Sequence, residues 1–142
     1  MCSHIEDDIL NATWDNSKSY IPHVTGGKVI KVYDGDTITI ATKLKGDECL
    51  YRFSVRLNGI DTPELKTKNT HEKEHAIVAR DALHDKIFDK MVELKNVSME
   101  KYGRLLADVY FEGVCLNSWM IDNNYAVAYD GNTKQKPDEW FV

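Results

Sequence analysis

Residues 29–44 read VIKVYDGDTITIATKL, and this stretch decides which fold the chain adopts. Val29–Tyr33 and Thr37–Leu44 are rich in β-branched side chains, which are typical of strands. The Asp34-Gly35 dipeptide between them is typical of a tight hairpin turn. We therefore predict a β-hairpin here, with the acidic residues of the turn at one end of a sheet.

The next segments predict a third strand, a loop and a long helix. Leu50–Leu57 alternates apolar and polar residues, as a half-buried strand does. Gly59–Thr67 contains a proline and indicates a loop. Apolar residues recur at steps of three and four over Glu72–Leu94, which predicts a helix with one apolar face. Asn69 or Thr70 is the expected N-cap of that helix.

The last third of the chain predicts further strands around a second helix. Strands are expected at Val97–Met99, Leu105–Phe111 and Tyr125–Tyr129, and a short helix at Leu116–Ile121. This order of elements indicates an α+β fold. Several short strands with few free edges favour a five-stranded OB-fold β-barrel with two or three helices packed on it.

Composition and charge limit the class of protein. The 142 residues suit one domain, predicted over residues 26–142, and residues 1–25 are predicted to form an N-terminal arm. Residues 1–16 carry a charge of −4, which leaves only −1 of the net charge of −5 to the rest of the chain and disfavours a general DNA-coating protein. Three cysteines without a C-x-x-C pair predict neither a disulfide framework nor a thiolate zinc site.

The chain shows no sequence feature of a membrane or secreted protein. No apolar run is long enough to span a bilayer, so no membrane partner is expected. The acidic, polar N-terminus lacks the basic and apolar regions of a signal peptide, which predicts an intracellular or cytoplasmic location. The oligomeric state is not fixed by the sequence, and a monomer is the favoured expectation.

Three separated motifs carry polar residues that a fold alone does not require. They are Asp34–Thr37, Arg56–Glu64 and Lys101–Arg104. Each has a simple structural explanation: a hairpin turn, a helix start with proline in its first turn, and a turn with an exposed arginine. Their occurrence together, in this order on a chain of this size, favours a shared chemical function.

The residue types suit the hydrolysis of a phosphodiester. Asp36 and Asp61 offer carboxylate oxygens to a hard cation such as Ca²⁺, and Thr62 adds its backbone carbonyl. Glu64 follows three residues after Asp61 and is a candidate general base for the attacking water. Two arginines, at positions 56 and 104, can each bind phosphate oxygens with a planar fork and stabilise charge in the transition state.

At these residues the chain resembles the staphylococcal nuclease-like (thermonuclease) domains. The matching stretches are VIKVYDGDTITI (residues 29–40), RFSVRLNGIDTPE (residues 52–64) and KYGRLLADVY (residues 101–110). The resemblance runs from about Gly27 to Tyr129. It implies an OB-fold barrel and Ca²⁺-dependent endonuclease activity on single- and double-stranded DNA and on RNA, with products that end in 3′-phosphates.

The resemblance also implies roles for individual residues. The calcium site would consist of Asp36, Asp61 and the Thr62 carbonyl, and the catalytic residues would be Arg56, Glu64 and Arg104. The substrate-binding residues would be Lys101 and Tyr102 at a terminal phosphate, and Tyr129 in the nucleotide pocket. An alternative is a catalytically silent binding module of the same fold, for nucleic acid or protein. The presence of all five acidic and arginine positions favours the enzyme.

A competing motif is present at residues 71–75, His-Glu-Lys-Glu-His, which matches the H-E-x-x-H signature of zinc proteases. The apolar stripe of the predicted helix begins only at Ala76, and the motif opens that helix beside a polar loop. A solvated helix start is therefore the preferred interpretation.

Overall fold

The computed structural model describes residues 2–132 and 135–142. Its helices are α1 (Cys2–Leu10), α2 (Thr70–Ile87) and α3 (Leu116–Asp122), with a 3-10 helix at Asp138–Phe141. Its strands are β1 (Gly26–Asp34), β2 (Thr37–Lys43), β3 (Leu50–Leu57), β4 (Ile60–Asp61), β5 (Met91–Met99), β6 (Leu105–Phe111), β7 (Val114–Cys115) and β8 (Val127–Ala128). No helix within these described residues has the length and apolar character needed to cross a membrane.

Five strands close into the predicted barrel. Strand β1 pairs with β2 and β5, β2 pairs with β3, and β5 pairs with β6, all antiparallel. The barrel closes through a parallel pairing of β3 with β6, in which Val55 faces Leu105 and Leu57 faces Ala107. The predicted α+β fold with a five-stranded OB-type barrel is thereby confirmed.

The core lies inside the barrel and under two helices. Strand residues with little or no exposed surface fill the barrel, among them Val29, Ile38, Ile40, Val55, Leu57 and Val109. Helix α2 covers one opening with Ala79, Leu83 and Ile87, and α3 adds Leu116 and Met120. Apolar side chains that alternate along strands and recur every three to four residues along helices therefore meet in one cluster.

Helix α2 begins where the sequence predicts and ends earlier. Asn69 is its N-cap, and the Asn69 side chain accepts a hydrogen bond from the Glu72 N–H at 2.9 Å. The predicted end at Leu94 is wrong, because the helix stops at Ile87 and Asp89 adopts a left-handed backbone with φ 66°. The Asp89 N–H donates to Val29 O at 2.9 Å, which turns the chain into β5.

Other element boundaries also differ from the sequence prediction. Strand β5 starts at Met91 rather than Val97, and β8 covers only two residues of the predicted strand Tyr125–Tyr129. The predicted arm contains a helix, α1, that no sequence periodicity indicates. The C-terminal tail forms the 3-10 helix, which the sequence did not predict, and its Trp140 is 5% exposed.

A buried amide joins α3 to the barrel. The Asn117 side chain accepts a hydrogen bond from the Val109 N–H at 2.9 Å. It donates to Asn58 O at 2.7 Å and to Ala107 O at 3.2 Å. Three main-chain groups of the barrel and of the loop after β3 are thus satisfied by one side chain. Buried polar groups that lose such partners cost stability.

We expect Asn117→Ala to lower the free energy of unfolding by about 2–4 kcal/mol, because it leaves buried main-chain groups without partners. Asn123→Ala is the matched control, since Asn123 lies at the exposed end of the same helix, where its side chain donates to Trp119 O. The control should shift stability by no more than about 0.5 kcal/mol. Urea unfolding measures both, and equal effects would contradict the role given to Asn117.

Candidate functional site

The turn between β1 and β2 packs against the loop that follows β4. A Cβ atom on Gly35 would lie 2.9 Å from Thr62 Cγ2 and 3.1 Å from Ala79 Cβ, closer than side-chain contacts normally come. Gly35 is therefore needed for this close approach. The approach brings the first motif, at Asp34–Thr37, against the second motif, at Asp61 and Thr62.

Arg56 lies between the two predicted metal-binding aspartates. Its Nη2 atom is 3.5 Å from Asp36 Oδ2 and 3.9 Å from Asp61 Oδ1. The same guanidinium donates to Ile60 O at 2.9 Å and to Leu57 O at 3.1 Å. These main-chain bonds fix the orientation of the fork, so both carboxylates converge on a single positively charged group.

Asp34 belongs to this acidic group, although the sequence interpretation gave it no role. Its Oδ1 atom accepts the Asp36 N–H at 3.0 Å. Burial, together with the negative charges of Asp36 and Glu64, raises the pKa of Asp34 to about 8. The presence of Asp34 in the Asp-Gly-Asp motif was the available signal.

Glu64 stands at the edge of the same group. Asp61 and Thr62, just before it, are almost completely buried, at 1% and 2% exposure. The Glu64 side chain is 41% exposed, and its main-chain N–H donates to Glu72 Oε2 at 3.2 Å. The predicted base therefore combines a solvent-accessible carboxylate with a fixed main chain.

Arg104 is held by Glu100, a residue that sequence reasoning missed. Arg104 Nη2 donates to Glu100 Oε2 at 3.2 Å, and the Arg104 N–H donates to Glu100 Oε1 at 2.9 Å. The Glu100 carboxylate is also the main reason why the pKa of Arg104 is raised. Arg104 Nη1 donates to Thr37 Oγ1 at 3.4 Å, and Thr37 Oγ1 in turn donates to Asp36 Oδ1 at 3.0 Å.

A cleft of about 520 Å³ opens beside these residues. Arg56 and Arg104 line it together with the three predicted substrate-binding residues, Lys101, Tyr102 and Tyr129. The Arg56 guanidinium lies 5.5 Å from the centre of the Tyr129 ring. Tyr102 is 74% exposed, and Lys101 Nζ lies 5.0 Å from its ring centre. The structure therefore gathers all nine predicted site residues around this cleft and the acidic group behind it.

One residue of the H-E-x-x-H stretch is buried, although the sequence predicted a solvated helix start. His71 and His75 are exposed, but Glu72 is 3% exposed and accepts hydrogen bonds from Glu64 N–H and from Lys136 Nζ. The prediction of a solvated helix start is wrong for Glu72, because its partner Lys136 comes from a distant segment. Among the side chains that the structure describes, no three His, Cys, Asp or Glu residues are grouped so that they could hold one metal ion.

Comparisons with known proteins match a range of the chain that contains the second and third motifs. The family described as staphylococcal nuclease homologue matches residues 54–140. A probable endonuclease of Schizosaccharomyces pombe is 29% identical over 125 residues, 83% of this chain and 52% of the relative. An uncharacterized endonuclease of Haemophilus influenzae is 34% identical over 102 residues, 72% of this chain and 51% of the relative. The chain thus spans about half the length of these two relatives.

A third relative covers a smaller part of both chains. A probable staphylococcal-like nuclease of Oryza sativa is 32% identical over 81 residues, 56% of this chain and 20% of the relative.

We expect the ion pair of Glu100 with Arg104 to make stability depend on pH. Burial by itself raises the pKa of Glu100, but its hydrogen bonds with Arg104 and the Tyr102 N–H outweigh burial and lower the pKa below its ordinary 4.5. The stabilisation is therefore present above 4.5 and lost as the pH falls through the lowered value. Glu100→Gln should cost about 1–2 kcal/mol at about pH 7 and much less at about pH 3.

Urea unfolding at the two pH values measures this difference. Glu93→Gln is the control, since Glu93 is exposed on β5 and should change stability little at either pH. A cost of Glu100→Gln that stays constant between the two pH values would contradict the ion pair as its source.

Proposed function

Because the chain belongs to the staphylococcal nuclease homologue family, we propose that it is a Ca²⁺-dependent endonuclease that hydrolyses phosphodiester bonds of DNA and RNA. The proposal includes single- and double-stranded substrates and products that end in 3′-phosphates. The observation that carries it is the convergence of Asp36 and Asp61 on Arg56, beside a cleft that Arg104 also lines.

The donor atoms of the acidic group fit calcium. Asp36 and Asp61 supply buried carboxylate oxygens, and the Thr62 carbonyl adds a neutral one, which are the hard ligands that Ca²⁺ prefers. Burial is the main cause of the raised pKa of Asp34, and the negative charges of Asp36 and Glu64, which a divalent cation would offset, add to it. Bound calcium would act as a Lewis acid on a phosphoryl oxygen and as a template for the substrate.

The side chains of the chain itself would perform the remaining chemistry. The exposed Glu64 carboxylate would orient a water molecule and accept its proton as the water attacks phosphorus. The bond from phosphorus to the 5′ oxygen would break, so that the 3′-phosphate stays on one product and the other product leaves with a 5′-hydroxyl group. Arg56 and Arg104 would donate to the phosphate oxygens as negative charge grows on them in the transition state. Glu100 and the main-chain oxygens that hold these arginines in place reduce the entropy lost when substrate binds.

The residues at the mouth of the cleft would bind the polynucleotide. Lys101 offers a positive charge to a phosphate group, and the adjacent Tyr102 ring is exposed enough to contact the substrate. The Tyr129 ring offers an aromatic face, and bases stack on such faces with little preference for sequence. This arrangement supports action on both DNA and RNA.

We expect Glu64→Gln and Arg104→Ala each to lower kcat for hydrolysis of single-stranded DNA by about 10²-fold or more, because each removes a group that acts in the transition state. His75→Ala is the control, since His75 is exposed on α2 and should leave turnover unchanged. Rates are measured by release of acid-soluble nucleotides.

Near wild-type rates in both Glu64→Gln and Arg104→Ala would show that these roles are wrong. A loss of activity in His75→Ala that only zinc restores would instead revive the zinc-protease interpretation of residues 71–75. A wild-type protein that binds DNA without cleaving it would favour the catalytically silent binding module.

We further expect Asp36→Ala to weaken Ca²⁺ binding by about tenfold or more, measured by calorimetry, because the variant removes a charged oxygen ligand. Asp85→Ala is the matched control, since the Asp85 side chain is 86% exposed on α2. An unchanged calcium affinity in Asp36→Ala would place the ion elsewhere.

A further inference from the structure

We propose that Glu72 and Lys136 form a positioning pair that holds the main chain of Glu64 in its working place. The pair comes from two segments that the resemblance to the family assigns no role: the first turn of α2 and the segment before the C-terminal 3-10 helix. Its catalytic consequence rests on the proposed function, whereas its structural consequence does not.

The carboxylate of Glu72 does not form the hydrogen bond that is usual for a glutamate at its position in a helix. Glu72 is the third residue of α2, where a glutamate commonly reaches back to the N–H of the N-cap residue. Here the N-cap N–H, on Asn69, donates to Thr67 Oγ1 at 3.2 Å instead. Glu72 Oε2 accepts the Glu64 N–H at 3.2 Å. The Glu72 side chain therefore ties the loop that carries Glu64, residues 62–69 and here named the catalytic loop, to the helix.

Lys136 completes this arrangement. Its Nζ atom lies 3.0 Å from Glu72 Oε2 and 3.9 Å from Glu64 Oε1. The Glu72 side chain is only 4% exposed, and a carboxylate so buried requires a partner of opposite charge. Burial raises the pKa of Glu72, but hydrogen bonds from Thr67, Lys136 and the Glu64 N–H outweigh it and lower the pKa, which keeps the group ionised at neutral pH.

The C-terminal segment is itself anchored, so that Lys136 has a defined position. Trp140, four residues later, is 5% exposed, and the 3-10 helix that contains it packs on α2. The Asn69 side chain also donates to Phe141 O at 3.5 Å. The packed C-terminal segment therefore places Lys136 next to Glu72. The start of α2, the catalytic loop and the C-terminal segment meet at this pair.

The pair gives Glu64 a fixed main chain and leaves its carboxylate exposed to solvent. With its N–H held by Glu72, the backbone of Glu64 has less freedom than an ordinary loop residue, while its side chain stays accessible to water. The nearby ammonium of Lys136 limits the directions that the carboxylate takes. A general base must lie within hydrogen-bonding reach of its water, so this restraint affects kcat more than KM.

Amide hydrogen exchange of Glu64, followed by NMR, tests the structural part of the proposal without any substrate. Glu72→Ala and Lys136→Met should each speed exchange of the Glu64 N–H by about tenfold or more relative to barrel amides such as that of Ile40. Glu72→Gln should fall between wild type and Glu72→Ala, because a neutral acceptor makes a weaker hydrogen bond. Glu74→Gln is the matched control, since Glu74 is exposed on the same helix and should change nothing.

Steady-state kinetics on single-stranded DNA then test the catalytic part. Glu72→Ala and Lys136→Met should lower kcat by about tenfold with KM nearly unchanged, and Glu74→Gln should behave as wild type. Lys136→Met removes no core side chain and serves if Glu72→Ala does not fold.

The outcomes separate this proposal from the proposed function. Unchanged Glu64 exchange in Lys136→Met and in any folded Glu72→Ala would overturn the positioning role, and so would equal acceleration at Glu64 and at the barrel amides. Faster Glu64 exchange with an inactive wild-type protein would instead preserve the structural pair and refute the nuclease activity. Faster exchange with unaltered kcat would overturn the catalytic consequence.

Discussion

Two buried carboxylates, Asp36 and Asp61, share one guanidinium nitrogen of Arg56. Removing one charged partner from such a buried group costs far more than removing an exposed ion pair, because the remaining charge is left without compensation. The arrangement therefore demands a scaffold that fixes three separate segments. Three features fix these segments. They are the packed interior of the barrel, the close contact at Gly35 and the main-chain oxygens that accept hydrogen bonds from Arg56.

The closure of the barrel also places the second arginine. Arg56 faces Thr37 across β2 and β3, and it faces Leu106 across the parallel β3–β6 pairing. Arg104 lies just before β6, so closing the barrel brings it to the same end as Arg56 and the β1–β2 turn. The hydrogen bonds from Arg104 to Thr37 and from Thr37 to Asp36 follow from this register. A shift of one residue in the pairing would turn these side chains to the opposite face.

Features that depend on local sequence could be predicted, and those that depend on distant contacts could not. The Asp-Gly turn, the strand at Leu50–Leu57 and the helix cap at Asn69 can each be recognised from a few neighbouring residues. The end of α2 was missed because Met91 continues the apolar period of the helix, whereas the turn at Asp89 depends on main-chain bonds to β1. The C-terminal 3-10 helix was missed because Trp140 acquires its role only by packing against α2.

The same distinction applies to the site. Eight of its nine predicted residues lie in three short motifs, which the closed barrel brings together, and the ninth, Tyr129, directly follows β8. Asp34 and Glu100 lie inside or next to the motifs, but only the structure shows that they contact the site. Glu72 and Lys136 are 64 residues apart, and no local pattern indicates that they meet beside Glu64.

Digestion of a defined single-stranded DNA under a calcium titration, with chemical mapping of the product ends, tests the central claim most directly. The account predicts hydrolysis that rises with Ca²⁺, stops when a chelator is added and leaves 3′-phosphate ends. Hydrolysis that the chelator does not affect would contradict the calcium site at Asp36 and Asp61, and the absence of hydrolysis at saturating Ca²⁺ would contradict the enzyme itself.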